Sequence, residues 1–329
     1  MTQTNRVIAI GASAGGLNAL FRIVPALSPR LAAPILVVLH IGAHRSMLPE
    51  LLSTRGPLPA VFAEDGVQPE PGKIYVAPPD QHLLLQGGAL RLFKGPKEHF
   101  ARPAIDPLFR SAALDSGSGV VGVILTGMLE DGSDGLHAVE VCGGTTVVQD
   151  PTEAEEPSMP RSALSSVHAN HVVKIDAMAD LLNKLAQPNG GQAALSAPEW
   201  LRVEHAISLG QGSLEELGRI GKPSAFTCPD CGGALFELNH GRPERFLCHT
   251  GHAYSLRSLA ASHEELTEEK LWAGLRALQE KEAILRRLAH MQASQSTGSE
   301  ADTLREANDI ADVIAQMRSK VLARKPHAA

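Results

Sequence analysis

Three groups of side chains in this sequence carry the means for chemistry: a serine in a glycine-rich turn, a histidine and an aspartate at the ends of apolar runs, and a late cysteine cluster. Gly11-Ala12-Ser13-Ala14-Gly15-Gly16 follows the run VIAIG and resembles two known devices. The dinucleotide fingerprint G-x-G-x-x-G fits badly, because Ser13 takes the second glycine's place, where backbone must approach a pyrophosphate. The nucleophile elbow G-x-S-x-G fits in full. There the serine sits on a sharp strand-to-helix turn, and the backbone N–H groups that begin the helix, here near Ala14 and Gly15, face a developing oxyanion. A phosphate-binding or simply tight turn is the plain alternative. A serine hydroxyl is a weak nucleophile, so it needs a base, and the base needs a partner that holds its tautomer. His40 closes PILVVLH, and Asp131 follows VVGVILTG within Met128-Leu129-Glu130-Asp131-Gly132. Each also has a plain reading, as a satisfied strand-end histidine and as a turn or helix-cap residue. Glu130 or Asp134 is an alternative orienting carboxylate, and a metal site there is a weak reading, since D-G-S-D-G lacks the further ligands of a calcium loop.

Cys228-x2-Cys231, then sixteen residues, then Cys248 with His249 or His252, has the spacing of a zinc knuckle. Cys248-x3-His252 supplies the second half better than the adjacent Cys248-His249 pair, whose side chains diverge. The expected ligands are therefore Cys228, Cys231, Cys248 and His252, in a closed, structural Zn²⁺ site. Free thiols or a redox pair are the alternatives. Cys142 stands alone and reads as a small buried hydrophobe.

These residues need elements to position them. The apolar β-branched runs at 7–11, 34–40, 120–127 and 145–150 suit strands buried on both faces, hence a parallel α/β sheet. Amphipathic stretches at 17–27 and 133–144 lie between them and read as helices. Ser13, His40 and Asp131 would all fall at the carboxyl edge of such a sheet, where open α/β sheets bind their ligands. Residues 74–95, with Gly87-Gly88, read as an antiparallel hairpin. The small, polar segment 187–198 reads as a linker, followed by a zinc-knuckle region at 199–257 and a helical hairpin over 258–329. Leu271, Leu275, Leu278 and Leu285 form one helical stripe; Leu304, Ala307, Ile310, Ile314, Met317 and Val321 form another, with a break at 293–299. Stripes of this kind need a partner surface, and self-association through 258–323 is the expectation.

The chain has 329 residues, 43% of them hydrophobic and 20% charged, with a net charge of −6. This composition excludes a disordered chain, and the acidic balance argues against a nucleic-acid binder. No segment is long and apolar enough to insert in a membrane, and MTQTN lacks the features of a secretion signal, so a cytoplasmic location is expected.

Residues 6–185 resemble the catalytic domain of the chemotaxis receptor-glutamate methylesterases, the CheB type. The resemblance rests on VIAIGASAGG, IYVAPPDQHL, ARPAIDPLF, ILTGMLEDGSDG and QDPTEAEEPSMPRSAL, in that order. It implies a Rossmann-like, doubly wound, mainly parallel sheet over 1–186. It also implies hydrolysis of glutamate methyl esters on chemoreceptors with release of methanol, and glutamine deamidation through the same acyl-enzyme. No cofactor is implied for catalysis. Ser13 would be the nucleophile, His40 the base and Asp131 its orienting group, with Met128 a backbone oxyanion contributor. Arg102, Asp106 and Arg161 would shape the substrate groove, ion pairing being their plain alternative. Ala14 and Leu39 stand where the family commonly has threonine and glutamine. Five residues precede the resembling region, so control by a receiver domain in cis is not expected. The alternative function is a non-catalytic scaffold that docks partners through the knuckle and helices.

Overall fold

A computed structural model describes residues 6–40, 46–188, 195–240, 244–295 and 300–322. The apolar runs become strands. In chain order the first region contains β1 (Val7–Ala12), α1 (Gly16–Ile23), β2 (Ile35–Leu39), α2 (Leu48–Arg55), β3 (Ala60–Phe62), β4 (Ile74–Val76), β5 (His82–Gln86) and β6 (Ala89–Phe93). It continues with α3 (Ile105–Ser116), β7 (Val120–Ile124), α4 (Ser133–Val141), β8 (Thr145–Gln149), α5 (Ser158–Ser166), β9 (His171–Val173) and α6 (Ile175–Leu185). Seven of these strands form a parallel sheet in the order β3-β4-β2-β1-β7-β8-β9.

Successive residues of a strand face opposite sides, and both sides are covered here. Ile8, Ile10, Ile35 and Val37 join Leu20, Leu52 and Leu182 of α1, α2 and α6 in one apolar layer. Val7, Ala9, Leu36 and Val38 join Leu108, Phe109 and Leu136 of α3 and α4 in the other. This two-sided burial explains why β1, β2 and β7 read as continuous apolar runs. The expected hairpin over 74–95 is narrower than its sequence pattern. Only β5 and β6 pair antiparallel, while β4 joins the parallel sheet beside β2.

After the expected linker, of which 189–194 lie outside the described residues, come α7 (Glu199–Ser208) and α8 (Leu214–Ile220). An antiparallel sheet of β10 (Gly221–Thr227), β11 (Ala234–Leu238), β12 (Arg245–Cys248) and β13 (Ala253–Ser255) follows. The composition of 187–198 suggests a detached second domain, yet residues up to Leu259 form one compact unit. Leu201 of α7 enters the apolar layer of α3 and α4. Beside it lies a buried charge network. Arg110 of α3 pairs with Glu98 and, at 3.3 Å, with Glu204 of α7; Arg245 of β12 pairs with Glu204 at 2.6 Å and with Asp134 of α4. The Trp200 ring stacks between His137 and His240, 5.8 and 4.1 Å from them.

Two long helices follow, α9 (Leu256–Gln295) and α10 (Glu300–Leu322). Residues 260–329 form the second compact unit. Within it Lys281 pairs with Glu306 at 2.8 Å, and Arg286 donates to Asn308 at 3.1 Å. Leu275 and Ala307 of the two expected stripes are buried, and the other described stripe residues are half-buried. Residues 296–299 of the expected break, and the side chain of Val321, lie outside the described residues.

Candidate active site

The serine turn forms because β1 ends and α1 begins within four residues. Gly15 takes φ +75°, a conformation that side chains disfavour, and this lets the chain reverse into the helix. Ser13 donates its backbone N–H to Thr126 O at 3.0 Å, and Gly16 N–H donates to Ser13 O at 2.8 Å. These bonds hold the turn against the end of β7. Gly127 is needed for closeness: a Cβ there would lie 2.8 Å from Ser13 Cβ and 2.6 Å from Met159 Cε. Thr126 ties the wall together, accepting from Glu156 N–H at 2.7 Å and donating to Ala14 O at 3.1 Å.

His40 follows β2, and its backbone N–H donates to Ala12 O at 3.2 Å. Its ring bridges the two other groups. Nδ1 lies 3.1 Å from Ser13 Oγ, and Nε2 lies 2.8 Å from Asp131 Oδ2. With the proton on Nε2, the ring donates to Asp131 and leaves the Nδ1 lone pair to accept the serine proton. The His40 side chain is 20% exposed and that of Asp131 only 2%, so the ring can meet a substrate while its partner stays dry. The structure thus brings Ser13, His40 and Asp131, separated along the chain by 27 and then 91 residues, onto one sheet edge.

Asp131 sits at the N-terminus of α3. It accepts the N–H of Ile105 at 2.7 Å and that of Asp106 at 3.1 Å, donors that a helix start leaves without intrahelical partners. Burial works to raise its pKa. The His40 hydrogen bond, the charges of His40 and His99, and the Ile105 N–H outweigh burial and hold the carboxyl well below the ordinary range. It therefore stays ionised at neutral pH. Asp134, three residues on, behaves in the opposite sense: burial raises it to about 6 against the pull of Arg245, with Glu204 and Asp106 adding to the rise.

Ala14 and Gly15 fall at the start of α1, and Met128 lies just beyond Thr126 with its side chain 43% exposed. Beside Ser13 and His40 is a pocket of about 210 Å³ walled by Leu17, Leu39, Met47, Leu48 and Leu51. A more polar cleft of about 480 Å³ carries Arg161, Arg257, Glu130 and Glu156. Of the other residues singled out, Arg102 forms two hydrogen bonds to Asp80, at 2.8 and 2.6 Å. Asp106 is fully buried and accepts from Gly135 N–H at 2.6 Å. Arg161 lines the polar cleft.

Sequence reasoning missed the residues behind the site. His82 accepts Ala104 N–H at 3.2 Å, just ahead of α3, and Gln149 accepts Thr126 N–H at 2.8 Å. His99 sits 3.2 Å from Asp106 Oδ2. For His82 and Gln149 the only signal was their place inside the ordered motifs, and His99 had none, lying between two of them. Cys228, Cys231, Cys248 and His252 come together in the second sheet, their ligand atoms all within 4.8 Å of one another. Among the described residues no helix is long and apolar enough to cross a membrane.

Residues 8–182 match the CheB methylesterase family. A relative from Leptospira interrogans is 38% identical over 188 residues, which span 55% of this chain and 95% of that one. The protein-glutamate methylesterase/protein-glutamine glutaminase 3 of Anaeromyxobacter dehalogenans is 42% identical over 181 residues, 54% of this chain and about half, 53%, of the relative. The crystal structure of the Thermotoga maritima CheB methylesterase catalytic domain superposes with a TM-score of 0.53 at 34% identity, covering 55% of this chain and 98% of that one. The match runs from the strand that carries the serine turn, through the Asp131 loop, to the last helix of the parallel sheet: the chain belongs to the CheB methylesterase family.

Proposed function

We propose that this chain is a serine esterase that hydrolyses glutamate methyl esters on chemoreceptor-type signalling proteins, releasing methanol. The observation that carries this reading is the Ser13–His40–Asp131 relay, with contacts of 3.1 and 2.8 Å. His40 Nδ1 takes the hydroxyl proton as Ser13 Oγ attacks the ester carbonyl, and Asp131 stabilises the imidazolium that forms. Backbone N–H groups at Ala14, Gly15 and Met128 receive the oxyanion, helped by the positive end of α1. The proton then passes to the departing methoxide, giving methanol and a glutamyl-serine ester. Water, activated by the same ring, releases glutamate. A glutamine side chain would give the same acyl-enzyme and lose ammonia, so deamidation fits the same residues, as the names of the relatives suggest.

The leucine and methionine wall beside the serine suits the methyl group and side-chain methylenes of the ester, and a shallow pocket suits a side chain presented by a protein. The alignment of Ser13 Oγ, the His40 ring and Asp131 beside an open pocket weighs against a purely scaffolding role, which needs no such relay. This reading keeps the chain in the cytoplasm, and it extends to self-association through residues 258–323, checked by sedimentation at micromolar concentration. Incubation with a chemoreceptor fragment carrying labelled methyl esters should release labelled methanol, and Ser13→Ala should not. Equal release by both proteins would end this proposal.

A further inference from the structure

Outside the parallel sheet, three cysteines and a histidine converge, their ligand atoms all within 4.8 Å of one another and too far apart for a disulfide. Cys231 Sγ is 3.8 Å from Cys248 Sγ, which is itself 3.5 Å from His252 Nδ1. A disulfide requires about 2.0 Å between sulfurs. A zinc tetrahedron, with Zn–S about 2.3 Å and Zn–N about 2.0 Å, has S···S edges of about 3.8 Å and S···N edges of about 3.5 Å. Tight turns present the ligands: Gly232 N–H donates to Cys228 O at 2.8 Å, and Gly251 N–H to Cys248 O at 3.0 Å. His252 N–H points at Cys248 Sγ (3.3 Å), and the Thr250 hydroxyl at Cys231 Sγ (3.3 Å). Such donors are what metal-bound thiolates collect in their outer shell.

The chain leaves His252 directly into β13, and β13 abuts the segment under the catalytic aspartate. Ala253 bridges to Glu98, and His99 N–H donates to Ala253 O at 3.0 Å. His99 and Phe100 both have positive φ, 48° and 66°, a conformation that non-glycine residues hold only when their surroundings impose it. The Phe100 ring meets Tyr254 edge-on at 6.3 Å, and the Tyr254 hydroxyl lies 3.7 Å from Cys228 Sγ. Held in this way, the His99 ring spans from Ser258 Oγ (3.2 Å) to Asp106 Oδ2 (3.2 Å). Asp106 and Ile105 in turn give their N–H groups to Asp131.

We propose that Cys228, Cys231, Cys248 and His252 bind one Zn²⁺, and that this ion, by fixing β13 beneath residues 98–101, makes His99 a positioning residue for Asp131. The metal-binding half stands independently of the esterase reading, and the positioning half rests on it. The full chain, purified without chelator, should hold one zinc per chain. Cys231→Ser and Cys248→Ser should lose it, and Co²⁺ substitution should give thiolate-to-metal charge-transfer absorption. Zinc-stripped chain should react with a fluorophosphonate at Ser13 about 10-fold more slowly, the scale at which lost outer-shell support acts, and should recover when zinc is returned. His99→Ala should lower kcat by a similar factor with little change in KM while retaining its zinc, and His99→Gln, which keeps a donor towards Asp106, should recover part of the loss. Purified chain without metal, or with Cys231 and Cys248 joined as a disulfide, overturns the site. Zinc present but full labelling by the stripped chain, or equal kcat in His99→Ala and the parent, overturns the positioning role. If the parent chain does not label at all, the esterase reading fails while the metal content still judges the site.

Discussion

The parallel sheet and the small antiparallel sheet are held by different means. In the first, β1, β2 and β7 bury apolar side chains on both faces, and the polar groups that matter stand just past the strand ends. The second has only small apolar clusters, around Leu217 and Phe236 and around Leu235 and Tyr254. Its joint to α3 and α4 is a buried set of charges, Glu98, Arg110, Asp134, Glu204 and Arg245. An apolar layer tolerates a change at its rim. A buried charge network does not, because removing one member strands its partner.

The largest test of that contrast is at the rim. Ser13→Ala should lower ester hydrolysis by ~10⁴-fold or more, since relay members act as a unit. The same change should move the unfolding free energy by no more than about 0.5 kcal/mol, because no apolar contact is lost. Kinetics and urea unfolding on one sample decide it, and substantial turnover by the folded variant breaks the contrast.

Within the charged joint the expectation reverses. Glu204→Gln leaves Arg110 and Arg245 under-compensated in a dry site and should cost about 3–5 kcal/mol of stability. Replacing Glu204 and Arg245 together by Met should cost less than the sum of the single changes, because neither of the two is then left without the other. Additive losses in a double-mutant cycle would show that the network does not act as one.

A smaller effect is expected from pH. Burial lowers the His205 ring of α7 to about 4, with Arg110 adding and Glu204 opposing, and its Nδ1 is buried without a hydrogen-bond partner. Its folded pKa lies below the unfolded value of about 6.5, so its contribution to stability is present above that pH and fades as pH falls towards 4. His205→Gln should flatten this part of the pH–stability curve, and an unchanged slope would remove His205 as its source. The smallest effect belongs to the exposed Lys281–Glu306 pair, where Lys281→Ala should cost no more than about 1 kcal/mol and less in high salt.

Much of the first sheet was legible because its signals are local. Each of Ser13, His40 and Asp131 ends an apolar run, and a run buried on both faces announces a parallel strand. The supports were not legible, because their partners are remote in sequence: His99 meets Ser258 across 159 residues, and Asp134 meets Arg245 across 111. The segment 187–198 has the composition of a linker, but composition says nothing of Leu201, which carries the chain back into the core of α3 and α4. The hairpin over 74–95 was over-extended for a related reason. Ile74–Val76 has the alternation of either pairing, and only its neighbour β2 decides for the parallel sheet.

The hydrogen bond between His99 and Ser258 also sets a timetable for biosynthesis. A ribosome adding about 5–20 residues per second needs on the order of ten seconds to move from Asp131 to Ser258. During that interval the serine, the histidine and the aspartate have all been made, while Ser258, which meets the His99 ring, has not. A nascent chain at this stage would carry the relay without that outer support, and ester cleavage should run about 10-fold slower until the last part of the small sheet emerges from the exit tunnel.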